Sequence, residues 1–135
     1  MLAGSDIVRL LDLAPHPEGG WYRETWRHTP ATAAERGAGT AIYYLLQASE
    51  RAHWHRVDAV EVWHFYAGDP LELAVAGARH LLGADLAAGQ RPQVVVPANA
   101  WQSAVPLGRW TLVGCTVSPA FEMEGFELAP PGFSP

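Results

Sequence analysis

The residues of this chain best suited to chemistry are His53, His55 and Glu61. The two histidines stand two apart in a run that reads as a β-strand, and the period-two geometry of a strand sends both imidazoles to one face, where they can share a ligand. A turn around Asp58 follows, and Glu61 opens the next run. If the two strands pair as a hairpin, its carboxylate comes within reach of the imidazoles. Two histidines and a carboxylate on neighbouring strands form a three-sided set that binds a divalent transition metal (Zn, Ni, Mn or Fe) and leaves positions open for substrate. The same residues equally suit a metal-free arrangement, a partly buried histidine pair neutralised by a carboxylate.

The elements that must hold these groups are short. Ser5 and Asp6 precede the apolar positions Ile7, Leu10 and Leu11, predicting a capped amphipathic helix that ends near Pro15. Pro15, Pro17, Gly19 and Gly20 then break the chain before an alternating strand over 21–27, and residues 28–39 read as a loop. Further runs rich in Val, Ile, Leu and aromatics, cut by Gly or Pro, occupy 40–47, 53–57, 60–67, 71–76, 79–83, 93–97, 101–105, 110–117 and 125–128. Many short strands without helical periodicity between them predict an all-β sandwich or barrel. Both faces of 60–66 are heavy, Glu61, Trp63 and Phe65 on one and Val60, Val62, His64 and Tyr66 on the other, and 41–46 behaves alike. That pattern predicts an outer face covered by another sheet or a second subunit, hence a homodimer.

Composition narrows the function. The 135 residues suit a single domain, 1–135; 49% are hydrophobic and 17% charged, which excludes a disordered chain. Every basic residue is Arg, so Schiff-base catalysis, pyridoxal phosphate attachment and a P-loop lysine are excluded. A net charge of −5 without a basic stripe argues against nucleic-acid binding. One cysteine, Cys115, cannot form an internal disulfide and reads as a small core residue; the absence of a signal-peptide pattern or a long apolar run predicts a cytoplasmic protein that does not cross a membrane. His64, opposite Glu61 in its strand, is assigned to structure or a subunit interface, and Asp85 and Gly89 to a structural turn.

His53-Trp54-His55, Glu61 and Gly68 resemble the first motif of the cupin superfamily, with one residue more than usual between His55 and Glu61. Where the second motif has Pro, Gly and His, this chain has Pro97, Asn99 and Gln102, so the implied fourth metal ligand is Gln102, an amide oxygen weaker than imidazole. The ordered set Glu18–Thr25, Thr40–Leu46, His55–Val57, Glu61–Tyr66, Gly68–Leu71, Val95–Pro97, Trp101-Gln102 and Val117–Pro119 is similar to the cupin-5 family over about residues 5 to 129, small single-domain proteins often labelled predicted sugar epimerases. The resemblance implies a cupin double-stranded β-helix, a jelly-roll-like barrel, with a short N-terminal helix.

The implied ligand is a small polar metabolite such as a nucleotide sugar, bound in a pocket open at one end. In an epimerase, His55 is the candidate base, oriented by Glu61, with Tyr43, Tyr44 or Tyr66 as acid. Tyr22 and Glu24 share a strand face; the Gly, aromatic and Glu order around them resembles deoxysugar-nucleotide 3,5-epimerases and places them at the barrel mouth, or else they belong to an ordinary edge strand. Tyr44, Trp63, Trp101 and Gln102 complete the candidate substrate contacts, although core packing is the commoner use of such rings. A metal on His53, His55, Glu61 and Gln102 supporting dioxygenase, isomerase or lyase chemistry is the second reading. A non-catalytic binding module is the third.

Overall fold

Short β-branched and aromatic runs separated by turn residues form eleven strands, described by a computed structural model of residues 1–135. One short helix, α1 (Gly4–Leu10), precedes β1 (Ala14–Pro15), β2 (Trp21–Arg27), β3 (Thr40–Gln47), β4 (Ala52–Val57) and β5 (Val60–Gly68). Then come β6 (Leu71–Val75), β7 (Ala78–Leu82), β8 (Gln93–Val96), β9 (Gln102–Pro106), β10 (Trp110–Ser118) and β11 (Phe126–Leu128). All pairings between them are antiparallel. One sheet has the order β1-β2-β3-β10-β5-β8 and the other β11-β4-β9-β6-β7, giving the all-β barrel that the strand pattern predicts in the jelly-roll-like form that the resemblance implies.

Inward side chains decide which part of the barrel is filled. Along β3 they run Leu46, Tyr44, Ile42, Thr40, and along β10 Val113, Cys115, Val117; the first members are packed in the main core and the later ones line a cavity. On β5 the step is from Trp63, 1% exposed, to Glu61. The barrel is therefore plugged at one end by Tyr44, Leu46, Trp63, Leu71, Leu73 and Val113 and hollow at the other.

Three expectations change. Helix α1 begins one turn early: Ala3 is its cap, and Asp6 lies inside the first turn, accepting the Ala3 N–H at 2.9 Å. A three-residue 3-10 turn over Leu86–Ala88 interrupts the turn at Asp85 and Gly89; Asp85 caps it, and Gly89 closes it with a left-handed φ of 88°. The apolar outer face of β3 is covered in part by the chain itself, because Ile7 and Leu13 pack on Leu45 and Trp110. Outward residues elsewhere on that sheet remain open, with Val60, Tyr66 and Val95 exposed. No helix is long and apolar enough to cross a membrane.

Candidate functional site

The hollow end of the barrel is a cavity of about 420 Å³. Inward positions of β2, β3, β4, β5 and β10 supply its walls, and the segment from Phe121 to Phe126 closes over one side. Of the three residues expected to converge, His55 and Glu61 line it.

His53 does not. The pairing of β4 with β9 sets Ala52 opposite Ala104 and His55 opposite Gln102, so three steps on β4 span two on β9. This β-bulge shifts the inward phase by one residue and turns both Ala52 and His55 inward. The expectation that His53 and His55 share a face fails for that reason. His53 points to the outside, where its Nε2 lies 3.1 Å from the Pro130 carbonyl oxygen.

A second bulge works in the opposite sense. Between Glu24 and Trp26 the register of β2 against β3 slips, so that Glu24 pairs with Ile42 and Arg27 with Thr40. Arg27 thereby joins Tyr22 and Glu24 on the cavity face, which strict alternation denies it. Its guanidinium makes a bidentate pair with Glu24, at 3.2 and 2.7 Å, and donates from Nη1 to the Phe121 carbonyl at 2.9 Å.

Two cavity groups carry no signal in a strand pattern, because they sit on the tight turn between β1 and β2. His16 and Glu18 enter the cavity from there. Gly19, with φ of 112°, lies where a Cβ would fall on the Arg51 carbonyl oxygen, so glycine is required for the turn to tuck Glu18 inward. The Glu18 backbone N–H donates to His16 Nδ1 at 3.1 Å. That nitrogen is an acceptor, so the His16 proton is on Nε2, which donates to Glu18 Oε1 at 3.3 Å. His55 has the other tautomer: its Nδ1 lies 2.7 Å from the His53 carbonyl oxygen and must be the protonated nitrogen. The bare Nε2 then faces Glu18 Oε2 at 3.2 Å, and only a protonated Glu18 satisfies both atoms.

The electrostatics agree with this assignment. Burial pushes the Glu18 carboxyl well above the ordinary range, and the neighbouring Glu61 adds to the shift. Burial lowers both imidazoles to about 4, helped at His16 by the proximity of His55. Glu61 is raised to about 7, again by burial, although Gln102 and the Cys115 thiol hydrogen-bond to it and oppose the shift. The Cys115 thiol itself is pushed well up by burial, so it is a neutral wall residue rather than a nucleophile.

The remaining candidates stand behind or outside the wall. Tyr44 is buried and donates its hydroxyl to the Gly19 carbonyl at 2.6 Å, bracing the turn. Trp63 donates its indole N–H to Gln102 Oε1 at 2.9 Å, and Gln102 Nε2 donates to Glu61 Oε1 at 2.8 Å. Trp101 lies outside the barrel, against Phe133 with the Arg56 guanidinium 4.6 Å from its ring centroid. Tyr44, Trp63, Trp101 and Gln102 do not line the cavity, whose wall instead includes His16, Glu18 and Arg27, residues that strand alternation could not show.

These donors do not fit a metal ion. An indole N–H can only donate, so the Gln102 oxygen is turned to Trp63 and its NH₂ to Glu61, leaving no amide lone pair for a metal. His53 faces away, and the free lone pair of His55 is taken by Glu18. No group of three or more His, Cys, Asp or Glu side chains is arranged to hold an ion.

Residues 5–129 match the family described as Cupin superfamily (DUF985), Cupin_5. A protein from Shewanella oneidensis is similar at 38% identity and a TM-score of 0.90, over 96% of this chain and 85% of its own. A hypothetical protein from Leishmania major is similar at 31% identity and a TM-score of 0.87, over 95% and 88%. A cupin-2 domain from Rhodospirillum rubrum shares the fold at 13% identity and a TM-score of 0.61, over 87% and 70%. No curated protein matches the chain.

Proposed function

The chain belongs to the Cupin_5 family of the cupin superfamily, and from that membership we propose a small-molecule-binding cupin that moves a proton on a carbohydrate-like carbonyl compound, as a sugar epimerase or isomerase does. One observation carries the reading: two carboxyls, Glu18 and Glu61, each more than nine-tenths buried, face one cavity. Glu61, raised to about 7, is divided between acid and base near neutral pH, the condition under which a general base works best. It takes the proton from the carbon beside the carbonyl. Glu18, protonated and held between His16 and His55, turns its one hydrogen from His55 Nε2 to the developing enolate oxygen as the substrate reacts. Return of that proton by Glu61 to the neighbouring carbon gives an isomer; delivery of a proton from solvent to the opposite face of the original carbon, with Glu61 releasing its own to solvent, gives an epimer.

His55 has a different part in this scheme from the base its sequence context suggests. Both ring nitrogens are engaged, Nδ1 on the His53 carbonyl and Nε2 on Glu18, so it positions the acid rather than meeting substrate. The test is incorporation of solvent deuterium at the carbon next to the carbonyl of unmodified and derivatised aldoses and ketoses. Wild type exchanges, and Glu61→Gln loses on the order of 100-fold or more. Ligand binding without exchange by wild type leaves a non-catalytic binding module.

The same proposal includes a homodimer through the open outer face of the larger sheet, where Val60, Tyr66 and Val95 are exposed. Sedimentation equilibrium at micromolar concentration measures it, and a monomer removes it.

A further inference from the structure

We infer that the cavity takes an uncharged, polyhydroxylated carbonyl compound, a free sugar or its near relative, and not the phosphate, nucleotide or carboxylate form. This rests on the small-molecule reading above and names the class of ligand for that site.

Holding a phosphate requires charge-assisted donors. Arg27 is the single guanidinium on the cavity wall; its charge is paired in bidentate fashion with Glu24, and Nη1 also donates to the Phe121 carbonyl. Lysine is absent from the chain. In the closing segment the Phe121 N–H goes to Thr40 Oγ1 and the Gly125 N–H to the Glu122 carbonyl, and Glu122 and Glu124 bring carboxylates to the cavity there. Helix α1 packs on the outside of the barrel, and the short 3-10 turn over Met123–Gly125 at the cavity wall carries an acidic residue, Glu124, in its first turn, which repels an anion. A phosphorylated ligand therefore meets the carboxylates of Glu24, Glu122 and Glu124 on the cavity wall and finds no free cation to hold it.

A cation is disfavoured from the other side. The inner wall carries His16, Glu18, His55 and Cys115, with Tyr44 behind them, and their hydrogen bonds and burial leave them uncharged. Glu61 is the one buried group able to act as counter-ion, and an ammonium beside it would hold it as a carboxylate and weaken it as a proton acceptor. The wall itself is mixed: Ile42, Val57 and Phe126 are apolar, while Tyr22, Thr40 and Glu61 bring hydrogen-bonding atoms. A sugar ring matches that pattern, with C–H faces for the aromatic and aliphatic side and hydroxyl edges for the polar side. The volume of about 420 Å³ lies toward the small end of ordinary ligand cavities, roughly 300–1,000 Å³.

The experiment uses the full chain dialysed against EDTA and saturation-transfer NMR with Kd titration. The probes are aldoses and ketoses of three to six carbons, their phosphate esters, the matching uronic acids and the amino sugars. At least one uncharged sugar is expected to bind ten-fold or more tightly than its phosphorylated, carboxylated and amino counterparts. Ile42→Trp, which fills the cavity, abolishes that binding. Glu24→Gln, at the half-exposed mouth, releases Arg27 and raises phosphate-ester affinity by ten-fold or more, an arm that survives if the Trp variant fails to fold. Equal or tighter binding of any phosphate, uronate or amino sugar overturns the inference, as does the absence of binding by every uncharged sugar. Deuterium exchange in a phosphorylated sugar would overturn it while sparing the proton-transfer reading. An uncharged sugar that binds without exchange does the reverse.

Discussion

Oε2 of Glu18 lies 3.2 Å from Nε2 of His55, and the hydrogen between them belongs to the carboxyl, because the imidazole proton is fixed on the far nitrogen by the His53 carbonyl. His16 donates to the other carboxyl oxygen at 3.3 Å. The three residues form one neutral unit in which every hydrogen has a single place. Replacing any member by a group of the wrong donor pattern breaks two hydrogen bonds rather than one.

Glu18→Gln tests the protonation directly. An amide reproduces a protonated carboxyl, its oxygen accepting from His16 and its NH₂ donating to His55. The variant should stay within about 1 kcal/mol of wild type, whereas Glu18→Ala leaves two buried ring nitrogens unpaired and costs roughly 2–5 kcal/mol. Urea denaturation of the three proteins at neutral pH gives the comparison. An equal, large loss in both variants would mean that Glu18 is ionised.

Stability should fall as the solution turns alkaline. Glu61 rises from an ordinary 4.5 to about 7 on folding, so its neutral form stabilises the native state fully below 4.5 and this contribution is lost as pH climbs through 7. At about 1.4 kcal/mol per pH unit the loss is on the order of 3 kcal/mol. His16 and His55, lowered from 6.5 to about 4, act with the opposite sign: their contribution is present above 6.5 and disappears toward 4. The imidazoles and acids oppose each other between 4.5 and 6.5, and above 6.5 the acids act alone. Glu61→Gln should match wild type at pH 5 and exceed it by about 1–3 kcal/mol at pH 8. Calorimetric unfolding at the two pH values decides it; a variant weaker than wild type at both would show that Glu61 is stabilising as an anion.

Much of this architecture is legible in the sequence because turn residues punctuate it. Pro15, Pro17, Gly19 and Gly20 mark the entry to β2, and the spacing of Asp58 between β4 and β5 brings His55 and Glu61 to one cavity. What alternation cannot show is where it slips. Each bulge changes the phase of a strand by one residue, and neither His53 nor Arg27 announces that change by its type. Glu18 is hidden for another reason: it sits on a turn, where periodicity carries no information about direction. Gly19-Gly20 is the available signal, since two glycines after a polar residue permit the chain to fold sharply inward.

Removing metals should leave the protein unchanged. Gln102 offers hydrogens to Glu61 and its oxygen to Trp63, so a cation entering there would meet N–H groups. Dialysis against EDTA should shift Tm by less than about 1 °C, and Zn, Ni, Mn or Fe(II) should not restore or raise it. A bound metal at 100 times its Kd adds about 2.7 kcal/mol, which for a chain of this size corresponds to roughly ten degrees. A shift of that size in either experiment would place the ion in the site after all.

His53 and His55 stand two residues apart in β4 and should differ sharply in consequence. The bulge in β4 turns His53 to the outside of the barrel, where its ring hydrogen-bonds the Pro130 carbonyl, and a hydrogen bond of that kind contributes about 1 kcal/mol. His55 is 2% exposed, and its loss to alanine both opens a hole of imidazole size and strands the Glu18 hydrogen, together roughly 3–5 kcal/mol. His53→Ala should therefore unfold within about 1 kcal/mol of wild type and retain deuterium exchange, while His55→Ala loses stability and exchange together. Because regular alternation would put both rings in the cavity, an equal effect of the two substitutions would mean that β4 pairs without its bulge.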